Sequence, residues 1–402
     1  MSNLAIEAAL GRTWTGSQRH VFKRVMRQTD ARVGGADGEA VDRLSLSSGG
    51  YLYPRAGTTD RQQASEATEQ RSLLVEVDQL VVNPMWLTGG SIAVSSLAGA
   101  VSPDYRVFTS STHVEPRFLH HLLRSQPYRD QYDLFVRANT TFDRRIQQQD
   151  LDQMPLWLPP RDAQQRIAEF LDDRVARIDR IIAARADQMK LVNAMFRSEV
   201  AGMVSGIGVA WMEGALRRFV TSEDAVRVPL SGEERAQRKG PYPYFGASGA
   251  IDSVDDYLFE GPRVLLSEDG ANLLARSSPI AFVADGRYWV NNHAHVLQPL
   301  DGAHDFWAAR IESLDVSPWV TGSAQPKLTV DAAMALRVST PATVAERLQL
   351  GEAVRRVRVV AEGRIEDLKR SMVILDEYKQ SLITAAATGD LDVTTAGSGI
   401  PG

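Results

Sequence analysis

The chain has 402 residues, of which 44% are apolar and 24% charged, with a net charge of −5 and no cysteine. That composition is ordinary for a globular protein, and the length suffices for two or three domains with large cores. The lack of cysteine excludes a disulfide framework, a thiolate zinc site and a cysteine nucleophile. No apolar run approaches the ~18 residues of a membrane-spanning helix, and the first residues lack the pattern of a secretory signal. We therefore expect a cytoplasmic protein that does not bind membranes.

The first predicted element is a globular domain over residues 1–158. It contains β-branched and aromatic runs separated by Gly, Pro, Asn and Ser, among them LLVEVDQLVV (Leu73–Val82) and SIAVSS (Ser91–Ser96). Such runs indicate strands. A helical pattern follows in PRFLHHLLRSQPYRDQY. Together these patterns are typical of a compact α+β domain.

The next element, over residues 159–205, is predicted to be one long helix. Residues 161–200 contain neither Gly nor Pro, and the pair Pro159-Pro160 can mark the helix start. Apolar residues recur at spacings of three, four or seven, close to a heptad pattern. They form a single apolar seam made of Ile167, Leu171, Val175, Ile178, Ile182, Met189, Val192 and Phe196.

The same order then repeats. Residues 206–340 again contain strand-like runs, such as RVLLSE and PIAFVA, and residues 341–390 are predicted as a second long helix with Gly389 as its stop. A flexible tail over residues 391–402 ends the chain. The stretches before the two helices share one layout, which indicates an internal repeat of roughly 180–200 residues. The seam of the second helix includes Val354, Val357, Ala361, Ile365, Leu368, Met372 and Leu375.

A long helix with one apolar stripe is not stable alone, because the stripe must be buried against a partner. The chain offers two such helices, so we predict that they pack on each other as a coiled coil. The alternative is that each helix packs on its own neighbouring domain.

Motifs that would indicate an enzyme are weak. The sequence has no phosphate-binding GxxxxGK[ST] loop, no GxSxG elbow and no HExxH. The pair His293 and His295 lacks a nearby carboxylate or thiolate in the sequence, so no metal is expected. Asn83-Pro84-Met85-Trp86 approaches the motif of adenine methyltransferases, but no glycine-rich turn for S-adenosylmethionine accompanies it.

Both globular segments carry hydrogen-bonding and aromatic residues in loop-like positions. Asn, Gln, Arg and Lys read base edges in DNA, and Ser and Thr hold phosphates. Of the 45 basic residues 39 are arginine, which suits bidentate recognition, although a coding bias explains this equally well. The alternative is that these are ordinary turn and capping residues. The predicted DNA-binding residues are Thr140, Thr141, Arg144, Arg145, Tyr244, Ser267, Asn272, Asn291, Asn292, His293, Ser323, Gln325 and Lys327.

Over essentially its whole length the sequence resembles the specificity (S) subunit of type I restriction–modification systems. The first domain is similar to a recognition domain of a different lineage from the second. The passage before the second long helix is a looser match than the one before the first. The most specific passages are YPYFGASGAID, LLSEDGANLL, WVNNHAHVL, TGSAQPKLT and LPPRDAQQRIAEFLDDRVARIDRII.

The resemblance implies an α+β fold in which two target-recognition domains alternate with two long helices that pair as an antiparallel coiled coil, with a pseudo-twofold internal repeat. It implies a non-catalytic subunit that reads a bipartite, asymmetric site in double-stranded DNA. Two methylase (M) subunits and the restriction (R) subunits are the implied partners. S-adenosylmethionine is then expected on the methylase, ATP and magnesium on the restriction subunit, and no cofactor on this chain. The alternatives are a structural coiled-coil scaffold and a stand-alone methylase or nuclease fragment.

Overall fold

The computed structural model describes residues 17–35, 41–55, 70–136, 145–206, 211–322 and 326–393. The chain divides into two units. The first unit consists of Met1–Ala184 and Ser371–Gly402, and the second unit of Arg185–Arg370. Each unit therefore contains one globular part and one portion of each long helix.

Both predicted long helices are present. The first extends over Arg161–Val204 and the second over Val344–Thr388. Before the second helix the Thr343 hydroxyl accepts a hydrogen bond from the Glu346 amide, and the Glu346 carboxylate accepts one from the Thr343 amide. This reciprocal cap fixes the helix start. After its end Gly389 has a φ of +90°, as its predicted stop position requires.

In the first unit the described residues form a four-stranded antiparallel sheet and three two-stranded ladders. The run Leu73–Val82, predicted as one strand, forms two strands because the backbone turns at Asp78, whose φ is +66°. Apart from the long helices, the described residues of this unit form the helices Phe22–Val25, Pro116–Arg124, Gln126–Phe135 and Gln148–Asp152, with a 3₁₀ turn at Val33–Gly35. In spatial order the strands of the four-stranded sheet are Met26–Thr29, Arg106–Ser110, Leu80–Val82 and Ile92–Val94. The three ladders pair Gln18–Val21 with Pro155–Leu158, Leu44–Leu46 with Leu52–Pro54, and Leu73–Val75 with Gly99–Val101.

The part of the second unit that the structure describes has two four-stranded sheets and one ladder. The short helices are Gly232–Gln237, Asn272–Ala275, His304–Glu312 and Val330–Ala335, with 3₁₀ turns at Leu216–Arg218, Asp224–Val226 and Ser317–Trp319. The ladder pairs Met212–Ala215 with Arg337–Thr340. The first sheet is Val220–Ser222, Ala294–Pro299, Arg263–Ser267 and Ala281–Ala284; the second is Gly249–Val254, Tyr242–Gly246, Arg287–Val290 and Phe259–Glu260.

One arrangement of strands occurs in both units, and we call it the shared frame. It consists of the ladder that leads into a long helix, the short helical turn after the first ladder strand, and an antiparallel four-stranded sheet. In both sheets the first strand along the chain lies beside the fourth, followed by the second and third. The other strands differ: two ladders in the first unit, a mixed sheet in the second. The shared frame confirms the predicted internal repeat.

The core of the first unit includes residues from both ends of the chain. Phe22, Phe108 and Phe118 are fully buried in one cluster with Leu382 and Ile383 of the second long helix. Burying each such side chain contributes ~1.5–3 kcal/mol. The last part of the second long helix is therefore part of the first unit's core.

The long helices pack against each other within each unit, and also against the globular parts. In the first unit the Lys379 ammonium lies 2.9 Å from the Asp179 carboxylate. In the second unit Val192 and Phe196 face Val357 and Ala361 across a cavity of about 60 Å³. Every predicted coiled-coil residue is buried or half-buried: Ile167, Leu171, Val175, Ile178, Ile182, Met189, Val192, Val357, Ile365, Leu368, Met372 and Leu375.

Candidate nucleic-acid interface

Five predicted DNA-binding residues lie outside the described part of the chain. They are Thr140, Thr141, Arg144, Ser323 and Gln325. The remaining eight have defined positions, one in the first unit and seven in the second.

Three of these predictions are corrected by burial. Tyr244 is fully buried beside Val254 and Trp289, because its strand pairs on both sides, and its hydroxyl accepts a hydrogen bond from the Leu230 amide. Ser267 is fully buried, and its hydroxyl donates to the Ala247 carbonyl. Asn291 is 4% exposed, and its side-chain oxygen accepts from the His293 amide. These side chains are engaged inside the second unit, each in a hydrogen bond to the main chain.

Asn272 is the first residue of the short helix Asn272–Ala275, and its side chain bonds to the segment that follows this helix. Its side-chain oxygen accepts hydrogen bonds from the Ser278 amide (2.9 Å) and the Ser277 hydroxyl (3.0 Å). Its side-chain nitrogen donates to the Ser278 carbonyl. Both ends of this amide are engaged in holding the local chain.

Four predicted residues are exposed: Arg145 in the first unit and Asn292, His293 and Lys327 in the second. Arg145 lies 3.6 Å from the Asp104 carboxylate. His293 and Lys327 come together at one edge of the second unit, since His293 contacts Asp269 at 2.9 Å and Asp269 and Lys327 form a backbone bridge. The roles of these four residues in DNA binding stay predictions.

Behind this edge lies a charged group of which sequence reasoning named only Lys327 as a site residue. We call it the Asp224 network; it consists of Asp224, Arg227, Glu268, His295 and Lys327. The Arg227 guanidinium lies 2.6 Å from Glu268 and 3.1 Å from Asp224, and the Lys327 ammonium lies 3.0 Å from Glu268. Its members lie up to 103 positions apart (224 to 327), so the sequence does not show that they meet. Locally, Glu268 is a charged residue directly after the apolar strand RVLLS, and His295 is a histidine within the strand AHVLQP.

The ring of His295 is the centre of the Asp224 network. It is 1% exposed, with Nδ1 2.6 Å from the Asp224 carboxylate and Nε2 2.8 Å from the Leu328 carbonyl. An ionised carboxylate and a carbonyl both only accept hydrogen bonds. The ring therefore joins the Asp224 side chain on one side to the backbone of the Lys327 segment on the other.

Two carboxylates of the network have shifted pKa values. Burial alone would raise the pKa of Asp224, but hydrogen bonds from His295 and the Val296 amide, and the charge of Arg227, outweigh burial and lower it. At Glu268 burial would likewise raise the pKa, but the hydrogen bonds from Arg227 and Lys327 outweigh burial and lower it. Both groups are therefore held in the ionised form.

The spacing of Asp224, Glu268 and His295 would also allow a metal ion, since one ligand atom of each lies within 4.8 Å of the others. However, Arg227 and Lys327 already contact these carboxylates. A divalent cation would have to displace two positive side chains, so the arrangement favours an ion-pair network over a metal site.

The network joins the sheet to the segment that carries Lys327. The Leu328 amide donates to the Glu268 carbonyl (2.8 Å), and the Gly270 amide donates to the Pro326 carbonyl (2.9 Å). These bonds fix the exposed edge around His293 and Lys327 on the rigid strands behind it. Side chains on a surface held in this way keep fixed positions, which suits a binding contact that requires precise placement of its groups.

Asn83-Pro84-Met85-Trp86, the segment similar to a methyltransferase motif, forms a turn in the first unit. The Asn83 side-chain oxygen accepts from the Met85 amide (3.1 Å), and Trp86 is 58% exposed.

None of the helices in the described ranges is long and apolar enough to cross a membrane.

No model of a known protein family matches the chain. Over 134 residues the chain is 30% identical to "Putative type I restriction enzyme specificity subunit S.HindORF215P" of Haemophilus influenzae, and the match covers 33% of this chain and 33% of that protein. The chain thus matches about a third of the length of this curated relative.

Solved structures give a longer match. A chain from a structure described as the "Structural basis underlying complex assembly and conformational transition of the type I R-M system" aligns over 94% of this chain and all of its own length, with a TM-score of 0.68 and 15% identity. The HsdS subunit from Thermoanaerobacter tengcongensis aligns over 94% of this chain and 97% of its own, with a TM-score of 0.47 and 16% identity. The first of these structures shows that the chain has the fold of a chain from a type I restriction–modification system, and the match to the Haemophilus protein confirms the resemblance to a type I specificity subunit over about a third of the chain.

Proposed function

We propose that this chain is the DNA-recognition subunit of a type I restriction–modification complex and reads a bipartite, asymmetric DNA site. The observation that carries this proposal is the shared frame, which occurs twice and bears a different set of strands each time. Two equivalent supports with different surfaces suit the reading of two different short tracts of DNA. In the second unit the reading edge contains Asn292, His293 and Lys327.

The net charge of −5 indicates that the chain alone binds DNA weakly, because neutralisation of phosphates dominates DNA affinity. The partners must then supply much of the positive charge. In this proposal two methylase subunits surround the DNA together with this chain and carry S-adenosylmethionine. Restriction subunits join with ATP and magnesium, and the present chain supplies recognition without catalysis.

Exposed apolar residues on the long helices support docking of the methylase subunits. In the first unit these are Val373, Ile374 and Tyr378; in the second, Leu191 and Met195 are 62% and 65% exposed. The outer face of a solvated helix is normally polar, so apolar residues there indicate a protein partner. Each unit has such residues, which agrees with one methylase subunit on each.

The test is to express the chain with its methylase partner and to map methylated bases in the host genome with and without this chain. The proposal expects methylation at one two-part sequence with a fixed gap, and none when the chain is omitted. The purified chain with S-adenosylmethionine but no partner should not methylate DNA. If the complex forms but methylation has no bipartite sequence preference, the chain is a scaffold and the proposal fails.

A further inference from the structure

Each copy of the shared frame carries two adjacent basic residues on its short helical turn. They are Lys23 and Arg24 in the first unit, and Arg217 and Arg218 in the second. All four side chains are exposed. The residues before them, Phe22 and Leu216, are fully buried, so each turn is anchored in its core while its basic pair faces solvent.

The two turns are equivalent bond by bond. The Phe22 amide donates to the Met154 carbonyl and the Leu216 amide to the Leu336 carbonyl, each at 2.9 Å. In both cases the acceptor directly precedes the strand that leads into a long helix.

The far end of each turn is held in the same way. The Val25 carbonyl accepts from the Ser111 amide (2.8 Å), and the Phe219 carbonyl accepts from the Leu300 amide (2.9 Å). The basic pairs therefore occupy one position of the frame, at identical spacing from both anchors.

These cations are not used within the described structure. No carboxylate among the described residues lies within 4.0 Å of any of them, and the Arg218 guanidinium only lies over the Phe219 ring, 6.0 Å from its centre. Hydroxyl side chains lie near both turns: Ser110, which pairs with Met26 on the neighbouring strand, is beside the first turn, and the exposed Thr221 and Ser222 follow the second turn in sequence. Paired cations with adjacent hydroxyls are the groups that hold phosphates.

A feature repeated in two otherwise different domains points to a ligand that both domains share. Residues that read bases must differ between the units, since the two DNA tracts differ, whereas the phosphate backbone is the same in both. We propose that the two basic pairs bind DNA phosphates, one pair on each half of the site. This inference rests on the proposed function. An acidic surface of the methylase is the competing ligand, but the apolar residues on the long helices already provide for protein docking.

The test uses the complex with the methylase and a duplex that carries the mapped site, with binding measured by fluorescence anisotropy from 0.05 to 0.3 M salt. The variants are K23Q/R24Q, R217Q/R218Q and the combination of all four. R177Q/R180Q, which removes two exposed charges from the first long helix, is the control. Thermal unfolding and native mass spectrometry verify folding and composition of each complex.

Each lost phosphate contact reduces the slope of log affinity against log salt by ~0.9 and weakens binding about fivefold at 0.15 M salt. We expect slopes shallower by up to ~2 for each double variant and ~4 for the combination, with an unchanged preference for the site over a scrambled duplex. The control should behave like the wild type.

Three results would overturn the inference: slopes equal to the wild type, loss of methylase from the variants, or loss of preference for the site. If instead the wild-type complex does not prefer any bipartite sequence, the proposed function fails. Salt slopes on arbitrary duplex DNA would then still decide whether the basic pairs bind phosphates.

Discussion

His295 shows how one residue can tie a charged group into the interior of the second unit. Its ring bridges the Asp224 carboxylate and the Leu328 carbonyl, and Arg227 closes the group from the other side through Asp224 and Glu268. Buried ion pairs of this kind contribute little net stability over apolar packing, but removing one partner is costly because a buried charge is left unpaired. The network therefore fixes one arrangement of the strands and the Lys327 segment.

The lowered pKa values of Asp224 and Glu268 make the second unit sensitive to acid. A carboxyl group with a lower pKa in the folded state stabilises the fold above its unfolded pKa, ~3.9 for Asp and ~4.3 for Glu, and loses this contribution as the pH falls through the folded value. We expect D224N to be less stable than the wild type at pH 7, by ~1–3 kcal/mol.

The difference between D224N and the wild type should shrink as the pH is lowered from 5 to 3. Urea unfolding across this range measures it. D133N, which changes an exposed carboxylate, is the control and should track the wild type at every pH. A constant difference between D224N and the wild type would contradict the assigned role of the network.

Residue roles were the least predictable part of the chain. Tyr244, Ser267 and Asn291 are hydrogen-bonding or aromatic residues in segments whose sequence is loop-like, and such segments often carry binding residues. Tyr244 is buried because its strand pairs on both sides, with partners at 249–254 and 287–290. The hairpin with 249–254 is local, but the pairing with 287–290 joins distant segments and leaves no trace in a local pattern. Conversely, Asn292, His293 and Lys327 are exposed where loop-like segments were expected.

The long helices show the opposite behaviour. Their predicted ranges, 159–205 and 341–390, differ from the observed ranges by at most three residues at each end. Helix periodicity, the cap at Thr343 and the stop at Gly389 are local signals that tertiary contacts do not override. The sequence pattern did not predict that the last part of the second helix completes the core of the first unit, because the identity of a packing partner is a long-range property.

Exposed apolar residues at the second unit's helices predict a specific effect on assembly. L191E/M195E places two charges where an apolar partner surface is expected, so we predict that the complex loses one methylase subunit, measured by native mass spectrometry. K190E changes the net charge by the same amount at an exposed neighbouring position and is the control. Retention of both methylase subunits by L191E/M195E would place the docking surface elsewhere.

Two glycines inside the second long helix should respond differently, in the free energy of unfolding, to replacement by alanine. A Cβ at Gly363 meets nothing within 4 Å, whereas a Cβ at Gly351 would lie 3.1 Å from the Phe306 amide nitrogen. Glycine costs a helix interior ~1 kcal/mol relative to alanine. We therefore expect G363A to raise the free energy of unfolding by about that amount, and G351A to give no gain, as measured by urea unfolding of the chain alone.

At the scale of the whole molecule, the first unit depends on residues from the second half of the sequence. Gln380 accepts a hydrogen bond from Arg129 and donates one to the Arg124 carbonyl, and the Thr384 hydroxyl accepts from the Gln126 amide. Removing residues 371–402 should therefore speed amide hydrogen exchange at 116–135 and 161–184 while leaving 263–299 protected. Removal of residues 394–402 alone is the control, and equal exchange in both truncations would contradict this dependence.

The return of the second long helix to the first unit also sets an order of events during synthesis. Residues 185–370 form a unit that is continuous in sequence and can fold as soon as they leave the ribosome. The strands made earliest must wait for Leu382 and Ile383 before their core is closed. At ~5–20 residues per second, the intervening stretch takes roughly 10–40 s to translate. For that interval the nascent chain presents apolar surface to the cell, which makes it a natural client for chaperones.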